Sequence, residues 1–225
     1  MIGSWIRLIF IGLTMTLLVA STSRGQQENQ TASRIPLSAD DICPIKVGAK
    51  LPPLTLNSVD GNLVDLNQAV KEKPTILIVY RGGWCVYCNT QMGQLHTIEA
   101  RLLELGYRLI AVSADRPAKL RESLEKHHIN YLLFSDSSMT AAQALGLAFK
   151  VDDKTVERYK KLGIDLEEAS GEKHHILPVP AAFVLDADGT IKFEYVNPNY
   201  KVRVDPEVLL TAAKAALNEK GKDLS

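Results

Sequence analysis

The stretch "YRGGWCVYCN" (residues 80–89) contains two of the three cysteines of the chain, and two residues separate them. It overlaps "PTILIVYR" (residues 74–81), a continuous apolar run rich in β-branched residues, which is typical of a strand buried on both faces in a parallel sheet. Apolar residues then recur every three or four positions and predict an amphipathic helix that Gly106 ends. They are Met92, Leu95, Ile98, Leu102 and Leu105. The cysteines thus lie where a central strand passes into a helix.

The order of the other segments predicts an α/β fold. Two short strands and a helical turn precede the buried strand. The predicted elements after the cysteine helix are a strand (108–115), a helix (117–128), a strand (131–136), a helix (139–149), a hairpin (181–196) and a last helix from Pro206 with Asp205 as its N-cap. This order gives a mixed central sheet sandwiched by helices, with an N-terminal β extension. Such sheets bind ligands at the carboxyl ends of their strands, where the cysteines lie.

The composition is that of one globular domain with additions. The chain has 225 residues, of which 46% are apolar and 23% charged, an ordinary balance for a folded soluble protein. The 26 basic and 26 acidic side chains cancel, so no basic field is available to attract nucleic acid or an anionic membrane. This balance favours a small neutral substrate or a protein partner.

The first 25 residues have the organisation of a signal peptide. Arg7 precedes an apolar run over residues 8–20, and small residues follow. The run is shorter than the roughly 20 residues of a spanning helix, so we predict cleavage between Ala20 and Gln26 and export to the periplasm or the medium. An uncleaved N-terminal membrane anchor is the alternative. Residues 26–39 are polar and predict a flexible lead-in to a domain over residues 40–220.

A Cys-x-x-Cys pair occurs in zinc sites, structural disulfides and redox couples. Tetrahedral zinc needs two more ligands, and the remaining Cys43 and five histidines contain no second pair of the expected spacing. His127–His128 and His174–His175 are adjacent pairs, which we interpret as solvated surface. A structural disulfide would close a loop of only four residues and would constrain the unfolded chain little.

The redox interpretation explains more of the sequence. Cys85 is predicted at the first turn of the helix, where unpaired N–H groups and the helix dipole stabilise a thiolate. Arg81 adds a positive charge if it points inward. Cys88 follows one turn later, and helical neighbours three apart have Cβ atoms roughly 5–6 Å from each other, so a small adjustment permits a disulfide. We predict that Cys85 is the exposed attacking thiol and Cys88 its buried partner, with no cofactor and no metal.

Longer motifs extend this interpretation. The sequence Trp84 to Cys88 resembles the Trp-Cys-x-x-Cys active site of thioredoxin-fold proteins. The string "VYRGGWCVYCNTQMGQL" is similar to the peroxiredoxin-like branch of the alkyl hydroperoxide reductase and thiol-specific antioxidant family. The similarity continues through "VGAKLPPLTL", "LIAVSADRPAKL", "YLLFSDSSMTAAQALGLAF" and "LPVPAAFVLDADGTI", over about residues 43 to 217. The resemblance implies a thioredoxin-like fold.

The resemblance also implies roles for single residues. Cys85 matches the peroxidatic cysteine, whose thiolate attacks a peroxide O–O bond and becomes a sulfenic acid. Cys88 matches the resolving cysteine, and a thioredoxin-like dithiol protein would reduce the Cys85–Cys88 disulfide. Pro180 stands where thioredoxin folds carry a cis proline facing the active cysteine, and with Trp84 it would support the substrate site.

The chain departs from the family pattern at two positions. Mainstream members carry a proline seven residues, and a threonine or serine three residues, before the peroxidatic cysteine. Here these positions are Ile78 and Gly82, so the hydroxyl that helps to position the peroxide is missing. Arg81 is the candidate to supply part of that electrostatic role. Arg116 and Arg203 are further candidates, each alternatively a surface arginine.

Several functions stay open. The first is a thiol-dependent peroxidase for hydrogen peroxide or organic hydroperoxides. The second, favoured by the missing hydroxyl, is an exported thiol–disulfide oxidoreductase that acts on protein disulfides, and the third is a binding module with a structural Cys-x-x-Cys.

The roles of two further parts of the chain also stay open. The charged insertion 150–178 either shapes the rim of the site or is a solvated loop. Cys43 is a free or packed thiol or a bridge between chains, and the sequence leaves open whether the chain forms a homodimer.

Overall fold

The computed structural model describes residues 34–71, 73–127 and 130–222, and a seven-stranded sheet runs through this part of the chain. The described residues form the strands β1 (Thr55–Ser58), β2 (Leu63–Asp65), β3 (Thr75–Tyr80), β4 (Arg108–Ser113), β5 (Leu132–Ser135), β6 (Ala148–Lys150), β7 (Ile176–Pro178), β8 (Ala181–Leu185) and β9 (Ile191–Val196). They form the helices α1 (Leu66–Val70), α2 (Val86–Glu104), α3 (Pro117–His127), α4 (Thr140–Ala144), α5 (Asp153–Lys161), α6 (Leu166–Ser170) and α7 (Pro206–Lys222).

The sheet is mixed, and β3 lies inside it. The strand order is β2-β1-β5-β4-β3-β8-β9. β3 pairs in parallel with β4 and β4 with β5, while the pairs β1–β5, β3–β8 and β8–β9 are antiparallel. All six residues of β3 are buried, as its continuous apolar run predicts. These pairings confirm the predicted mixed α/β sheet, and the β1–β2 pairing confirms the N-terminal β extension.

Two hydrophobic clusters cover the two faces of the sheet. Side chains alternate between the faces along a strand, so Ile78 and Tyr80 belong to one cluster and Leu77 and Val79 to the other. The first cluster also contains buried residues of α2 and α7, together with both cysteines of the Cys-x-x-Cys pair. The cysteines are therefore part of the core and not of a surface loop.

The helix after the cysteines follows its predicted periodicity. Four of its five periodic apolar residues are buried, Met92, Leu95, Ile98 and Leu102, while Leu105 is the C-cap residue and half-buried. Gly106 takes φ +84° directly afterwards, a conformation that costs glycine little and ends the helix. The last helix also begins as predicted, since the Asp205 side chain accepts a hydrogen bond from the N–H of Glu207 at 2.8 Å.

The helix predicted over residues 139–149 is wrong in its second half. α4 ends at Ala144, and Gly146 has φ +68°. A Cβ at Gly146 would stand 1.8 Å from the carbonyl oxygen of Cys43, so only glycine fits this crossing. Residues 148–150 then form β6, which pairs with β7. Because β7 belongs to the distant end of the insertion, local spacing could not predict this pairing.

The charged insertion is folded, so its interpretation as a solvated loop is wrong. α5 begins after Asp152, whose side chain accepts a hydrogen bond from the N–H of Thr155 at 2.9 Å. α6 begins after Asp165, which caps its first turn in the same way. Val156 and Tyr159 of α5 pack with residues of β6 and β7 in a third hydrophobic cluster.

The packed part of the chain begins before residue 40. Ile35 contacts the third cluster, and the carbonyl oxygen of Pro36 accepts a hydrogen bond from the N–H of Lys150 at 2.7 Å. The lead-in was predicted over residues 26–39, and its last part is therefore packed against the domain. The predicted signal peptide over residues 1–25 lies outside the described residues. Within the described ranges, no helix is long and apolar enough to cross a membrane.

Candidate active site

The two cysteines lie at the N-terminal end of α2. Cys85 is the N-cap residue (φ −88°, ψ 112°), and its carbonyl oxygen accepts hydrogen bonds from the N–H groups of Cys88 and Asn89, both at 3.0 Å. The side-chain amide of Asn89 donates to the carbonyl oxygen of Gly83 at 2.9 Å, which fixes the turn before the helix. The first N–H groups of a helix have no partner inside it, so this position favours negative charge.

Both cysteines are buried, which corrects the prediction that Cys85 is exposed. Cys85 is 4% exposed and Cys88 0%. The hydrophobic cluster around α2 encloses both side chains, with Val204 from the segment before α7. The residues between the cysteines are exposed instead, Val86 at 73% and Tyr87 at 39%.

The pKa of the Cys85 thiol is lowered to about 6. The largest cause is a hydrogen bond from the Cys88 side chain, which stabilises the thiolate. Burial acts in the opposite direction, while the Cys88 N–H and the charges of Arg81 and Arg203 lower the pKa further. This lowered pKa favours the thiolate of Cys85, the form of cysteine that attacks electrophiles.

Cys88 has the opposite electrostatic environment. Burial raises its pKa well above the ordinary value, and the hydrogen bond to Cys85 and the negative charge of that thiolate add to the effect. One cysteine is thus a thiolate and the other a proton donor to it. Arg203 reaches this pair, with its Nη2 3.6 Å from the Sγ of Cys88.

Arg81 is 3% exposed and points inward, as the redox interpretation requires. Its guanidinium carbon lies 5.0 Å from the ring centre of Trp84, 5.5 Å from that of Tyr159 and 4.2 Å from that of Tyr200. These distances are those of cation–π contacts. Its Nη2 donates a hydrogen bond to the Tyr159 hydroxyl at 2.6 Å. None of the ion pairs in the described part of the chain includes Arg81, so no carboxylate neutralises its charge near Cys85.

Gly82 is required by the close packing of Trp84 and Asp115. Gly82 has φ +150°, and a Cβ there would stand 2.3 Å from Nε1 of Trp84 and 2.6 Å from Oδ1 of Asp115. The next N–H, that of Gly83, donates to Oδ2 of Asp115 at 2.6 Å. Burial raises the pKa of Asp115 to about 6 despite this bond. The position at which mainstream peroxiredoxins carry a hydroxyl therefore has no room for a side chain.

Pro180 is not the predicted cis proline. No peptide bond among the residues that the structure describes is cis. Pro180 lies between β7 and β8, and the trans isomer of an X–Pro bond is the lower in energy. Pro180 nevertheless lines a cavity of about 230 Å³ together with Arg81, Tyr159 and Tyr200. Pro180 thus lies in the same cavity as Arg81, while its predicted cis geometry is wrong.

The remaining positions that the sequence singled out take other roles in the structure. Arg116 is exposed, and its N–H donates to the carbonyl oxygen of Ala169. Ile78 is a core residue of β3. Cys43 is an exposed free thiol.

His174 and His175 are half-buried, which corrects their interpretation as solvated surface. Nε2 of His174 lies 2.7 Å from the carbonyl oxygen of Ser137, and Nε2 of His175 lies 2.8 Å from Oε1 of Glu167. The pair at residues 127–128 has no described side chains. Across the described ranges, no group of three or more His, Cys, Asp or Glu residues could hold a metal ion.

Sequence reasoning did not find three residues of the site, Tyr159, Tyr200 and Asp115. Tyr159 belongs to the insertion, and Tyr200 belongs to the segment between β9 and α7, so no local spacing connects either to Arg81. Asp115 had a usable signal, since it is the last residue of the predicted strand 108–115. Acidic residues at the carboxyl edge of such a sheet lie close to the ligand site.

These features define a thioredoxin-like protein. A buried strand passes into a helix that begins with Cys-x-x-Cys, and the mixed sheet ends with a hairpin and a last helix. Residues 47–194 match the model of the AhpC/TSA family. The chain belongs to this family, which confirms the resemblance seen in its sequence.

Individual relatives agree with this family. The chain is 26% identical over 171 residues to Peroxiredoxin Bcp of Escherichia coli K12, and the match covers 76% of this chain and 97% of the relative. Among solved structures it is similar to peroxidoxin BcpB from Mycobacterium tuberculosis, with a TM-score of 0.60, 17% identity and coverage of 76% and 97% of the two chains. It is also similar to reduced Prx3 from Vibrio vulnificus in complex with H2O2, with a TM-score of 0.62, 17% identity and coverage of 75% and 99%. These two structures confirm the fold.

Proposed function

We propose that this protein is a thiol-dependent peroxidase that reduces hydrogen peroxide or organic hydroperoxides. The observation that carries the proposal is the pairing of two unlike cysteines at one helix start. The pKa of Cys85 is lowered to about 6, and the side chain of the fully buried Cys88 is the largest cause. Membership of the AhpC/TSA family supports the same activity.

In the proposed reaction the Cys85 thiolate attacks one oxygen of the peroxide. A sulfur–oxygen bond forms as the O–O bond breaks, and the other oxygen leaves as water or an alcohol after it takes up a proton. The positive charge of Arg81 stabilises the negative charge that develops on the leaving oxygen. Cys88 then condenses with the Cys85 sulfenic acid, which releases water and forms a disulfide. A thioredoxin-like dithiol returns two electrons and two protons to the pair.

Rapid mixing of the reduced protein with hydrogen peroxide tests this proposal. Trp5 and Trp84 are the two tryptophans of the chain, so a protein that starts at residue 26 reports on Trp84 alone. We expect a change in emission whose rate rises with peroxide concentration and which Cys85→Ser abolishes. Cys43→Ser is the matched control and keeps the full change. An identical signal in Cys85→Ser contradicts the proposal.

A thiol–disulfide oxidoreductase is the second candidate. Its support is Gly82, where the structure leaves no room for a peroxide-positioning hydroxyl. Against it stands the burial of Cys85, because a protein disulfide needs access to a sulfur that is only 4% exposed, whereas a peroxide is small. Rates of hydrogen peroxide reduction and of insulin disulfide reduction, measured at equal substrate concentrations, separate the two candidates. Faster insulin reduction would favour the oxidoreductase.

We further propose that the protein is exported and that its reductant works outside the cytoplasm. The support is the signal-peptide organisation of residues 1–25 and the persistence of disulfides in such compartments. A fusion of residues 1–30 to a reporter that is active only outside the cytoplasm is expected to give signal. A purified protein that keeps Met1 and fractionates with the cytosol contradicts this proposal.

A further inference from the structure

The segment between β9 and α7 brings a second arginine to the buried cysteine. Its turn is held by the N–H of Val202, which donates to the carbonyl oxygen of Asn199 at 2.9 Å, and by the N–H of Lys201, which donates to the Asn199 side chain at 3.2 Å. Val204 is buried in the same cluster as Cys88. Arg203 lies between this turn and the buried Val204, and its Nη2 is 3.6 Å from the Sγ of Cys88.

Arg203 is held by backbone groups and not by an acid. Its Nη1 donates to the carbonyl oxygens of Tyr200 and of Val202, the latter at 3.1 Å. None of the ion pairs between residues that the structure describes includes Arg203. Arg203 is half-buried, so solvent screens its charge less than that of a fully exposed side chain. Its positive charge is therefore available to the sulfur that it contacts.

The chemistry of the disulfide-forming step creates a need for such a charge. A thiol must become a thiolate before it attacks a second sulfur atom. In the reduced protein, burial, the hydrogen bond to Cys85 and the Cys85 thiolate all hold the proton on Cys88. Once Cys85 is a neutral sulfenic acid, the repelling thiolate is gone. Burial still opposes ionisation of Cys88, and a cation in contact with its sulfur offsets this penalty.

We propose that Arg203 is the catalytic group of the second half-reaction, in which it stabilises the Cys88 thiolate during its attack on the sulfenic acid of Cys85. Arg81 serves the first half-reaction, whereas Arg203, whose charge also lowers the pKa of Cys85, contacts the sulfur of Cys88. In the second step Cys88 loses its proton, its electron pair forms the S–S bond, and the S–O bond of Cys85 breaks. The departing hydroxide takes up a proton and leaves as water. This assignment rests on the proposed peroxidase function.

The test compares Arg203→Met with Lys201→Met, which removes a nearby exposed cation with no contact to either cysteine. The reduced proteins are mixed with hydrogen peroxide at about pH 8, well above the pKa of Cys85, so that its ionisation is complete in each variant. Disulfide formation is the phase whose rate does not depend on peroxide concentration. We expect Arg203→Met to slow this phase by about tenfold or more, which corresponds to a rise of about one unit in the pKa of Cys88. Its peroxide-dependent phase should change less than about threefold. A dimedone-type reagent should trap correspondingly more Cys85 sulfenic acid.

One further variant and one stability measurement separate a charge effect from a structural one. Arg203→Lys restores a charge and should recover part of the lost rate, which a purely structural role would not predict. Thermal unfolding of each variant shows whether it is folded. Equal slowing by Lys201→Met, or loss of only the peroxide-dependent phase in Arg203→Met, would overturn the assignment.

An aromatic disulfide such as dithiobis-nitrobenzoate separates this assignment from the peroxidase itself. All proteins in this comparison carry Cys43→Ser, because the exposed thiol of Cys43 would also react with the reagent. Cys85 then releases a first coloured thiolate from the reagent, and Cys88 displaces a second one from Cys85. If Arg203→Met slows the second release while the wild-type protein consumes no peroxide, the role of Arg203 stands and the proposed function fails. If peroxide is consumed but both releases are as fast as in the wild-type protein, the role of Arg203 is refuted.

Discussion

Single residues set the reactivity of Cys85, and they can be removed one at a time. The side chain of Cys88 is the largest cause of its lowered pKa, while the charges of Arg81 and Arg203 act more weakly. The order of these causes is itself testable, because a hydrogen bond and a distant charge respond differently to substitution.

Replacement of Cys88 should separate its two roles. Cys88→Ala removes the donor, so we expect the pKa of Cys85 to rise by about one unit or more. Cys88→Ser keeps a hydroxyl donor, so its rise should be smaller. In both variants the first turnover with peroxide should leave a sulfenic acid that a dimedone-type reagent labels. The measurement is the alkylation rate of Cys85 against pH. Equal pKa values in the Ala variant and the wild-type protein contradict a hydrogen bond from Cys88.

Replacement of Arg81 tests the charge beside the thiolate. Arg81→Met is expected to raise the pKa of Cys85 by about one unit, equivalent to about 1.4 kcal/mol. Alkylation at pH about 6 and peroxide reduction should both slow, since less thiolate is present. Arg116→Met is the control, because Arg116 is exposed and does not contact the cysteines. If the alkylation profiles of Arg81→Met and the wild-type protein coincide, the helix terminus and Cys88 lower the pKa without Arg81.

Two elements outside the Cys-x-x-Cys helix complete the site. α5 supplies Tyr159, whose hydroxyl accepts the hydrogen bond of Arg81, and the turn after β3 supplies Gly82, over which Trp84 folds. Each contact depends on the exact course of its element, so each predicts a local effect of a small substitution.

Tyr159→Phe removes the hydroxyl and keeps the ring. The Nη2 of Arg81 would lose its 2.6 Å hydrogen bond inside a buried site. We expect a loss of stability of about 1.5–3 kcal/mol, the usual range for a hydrogen bond to a charged group. Urea unfolding measures it. Tyr131→Phe is a control, because the Tyr131 hydroxyl contacts only the weak acceptor Sδ of Met92 in the described contacts. Similar losses of stability in both variants would show that the hydrogen bond from Arg81 to Tyr159 contributes no more than the contact of Tyr131 with Met92.

Gly82→Ser introduces the hydroxyl that mainstream relatives carry. Because a Cβ at Gly82 would stand 2.3 Å from Nε1 of Trp84, we expect lower stability by about 1–3 kcal/mol and no gain in peroxide reduction. Gly93→Ala in α2 meets no atom within 4 Å and should stabilise the helix by about 0.5–1 kcal/mol. Denaturant unfolding and peroxide turnover are the measurements. A faster and stable Gly82→Ser enzyme would show that Trp84 moves aside freely.

Across the whole molecule, buried carboxyl groups stand at the ends of two parallel strands. Asp115 follows β4 and holds the N–H of Gly83, while Asp136 follows β5 and holds the N–H groups of Ala141 and Ala142. Burial raises the pKa of both carboxyl groups to about 6. They connect the strand ends to the active-site turn and to α4, and they make stability depend on pH.

The sign of this dependence follows from proton binding. Between about pH 4 and pH 6 the folded protein keeps a proton on Asp115 that the unfolded chain has lost, so the contribution of Asp115 to stability falls as the pH rises. Asp115→Asn removes this dependence. The stability of the variant relative to the wild-type protein should therefore rise from pH about 4 to pH about 7, by up to about 3 kcal/mol. The exposed Asp41→Asn serves as the control, and urea unfolding at several pH values is the measurement. A constant difference would contradict a raised pKa.

The sequence by itself determined the main elements, because these depend on local patterns. The apolar run at residues 74–81 and the spacing from Met92 to Leu105 are short-range signals of a buried strand and an amphipathic helix. The Trp-Cys-x-x-Cys string, together with the motifs around it, likewise indicated the thioredoxin-like fold and the family. Tertiary structure decided what joins distant residues. It buries Cys85, holds Pro180 in trans, pairs β6 with β7, and brings Tyr159, Tyr200 and Arg203 to Arg81 and the cysteines. Such contacts depend on packing between elements far apart in the chain, and the spacing of residues within one element carries no record of them.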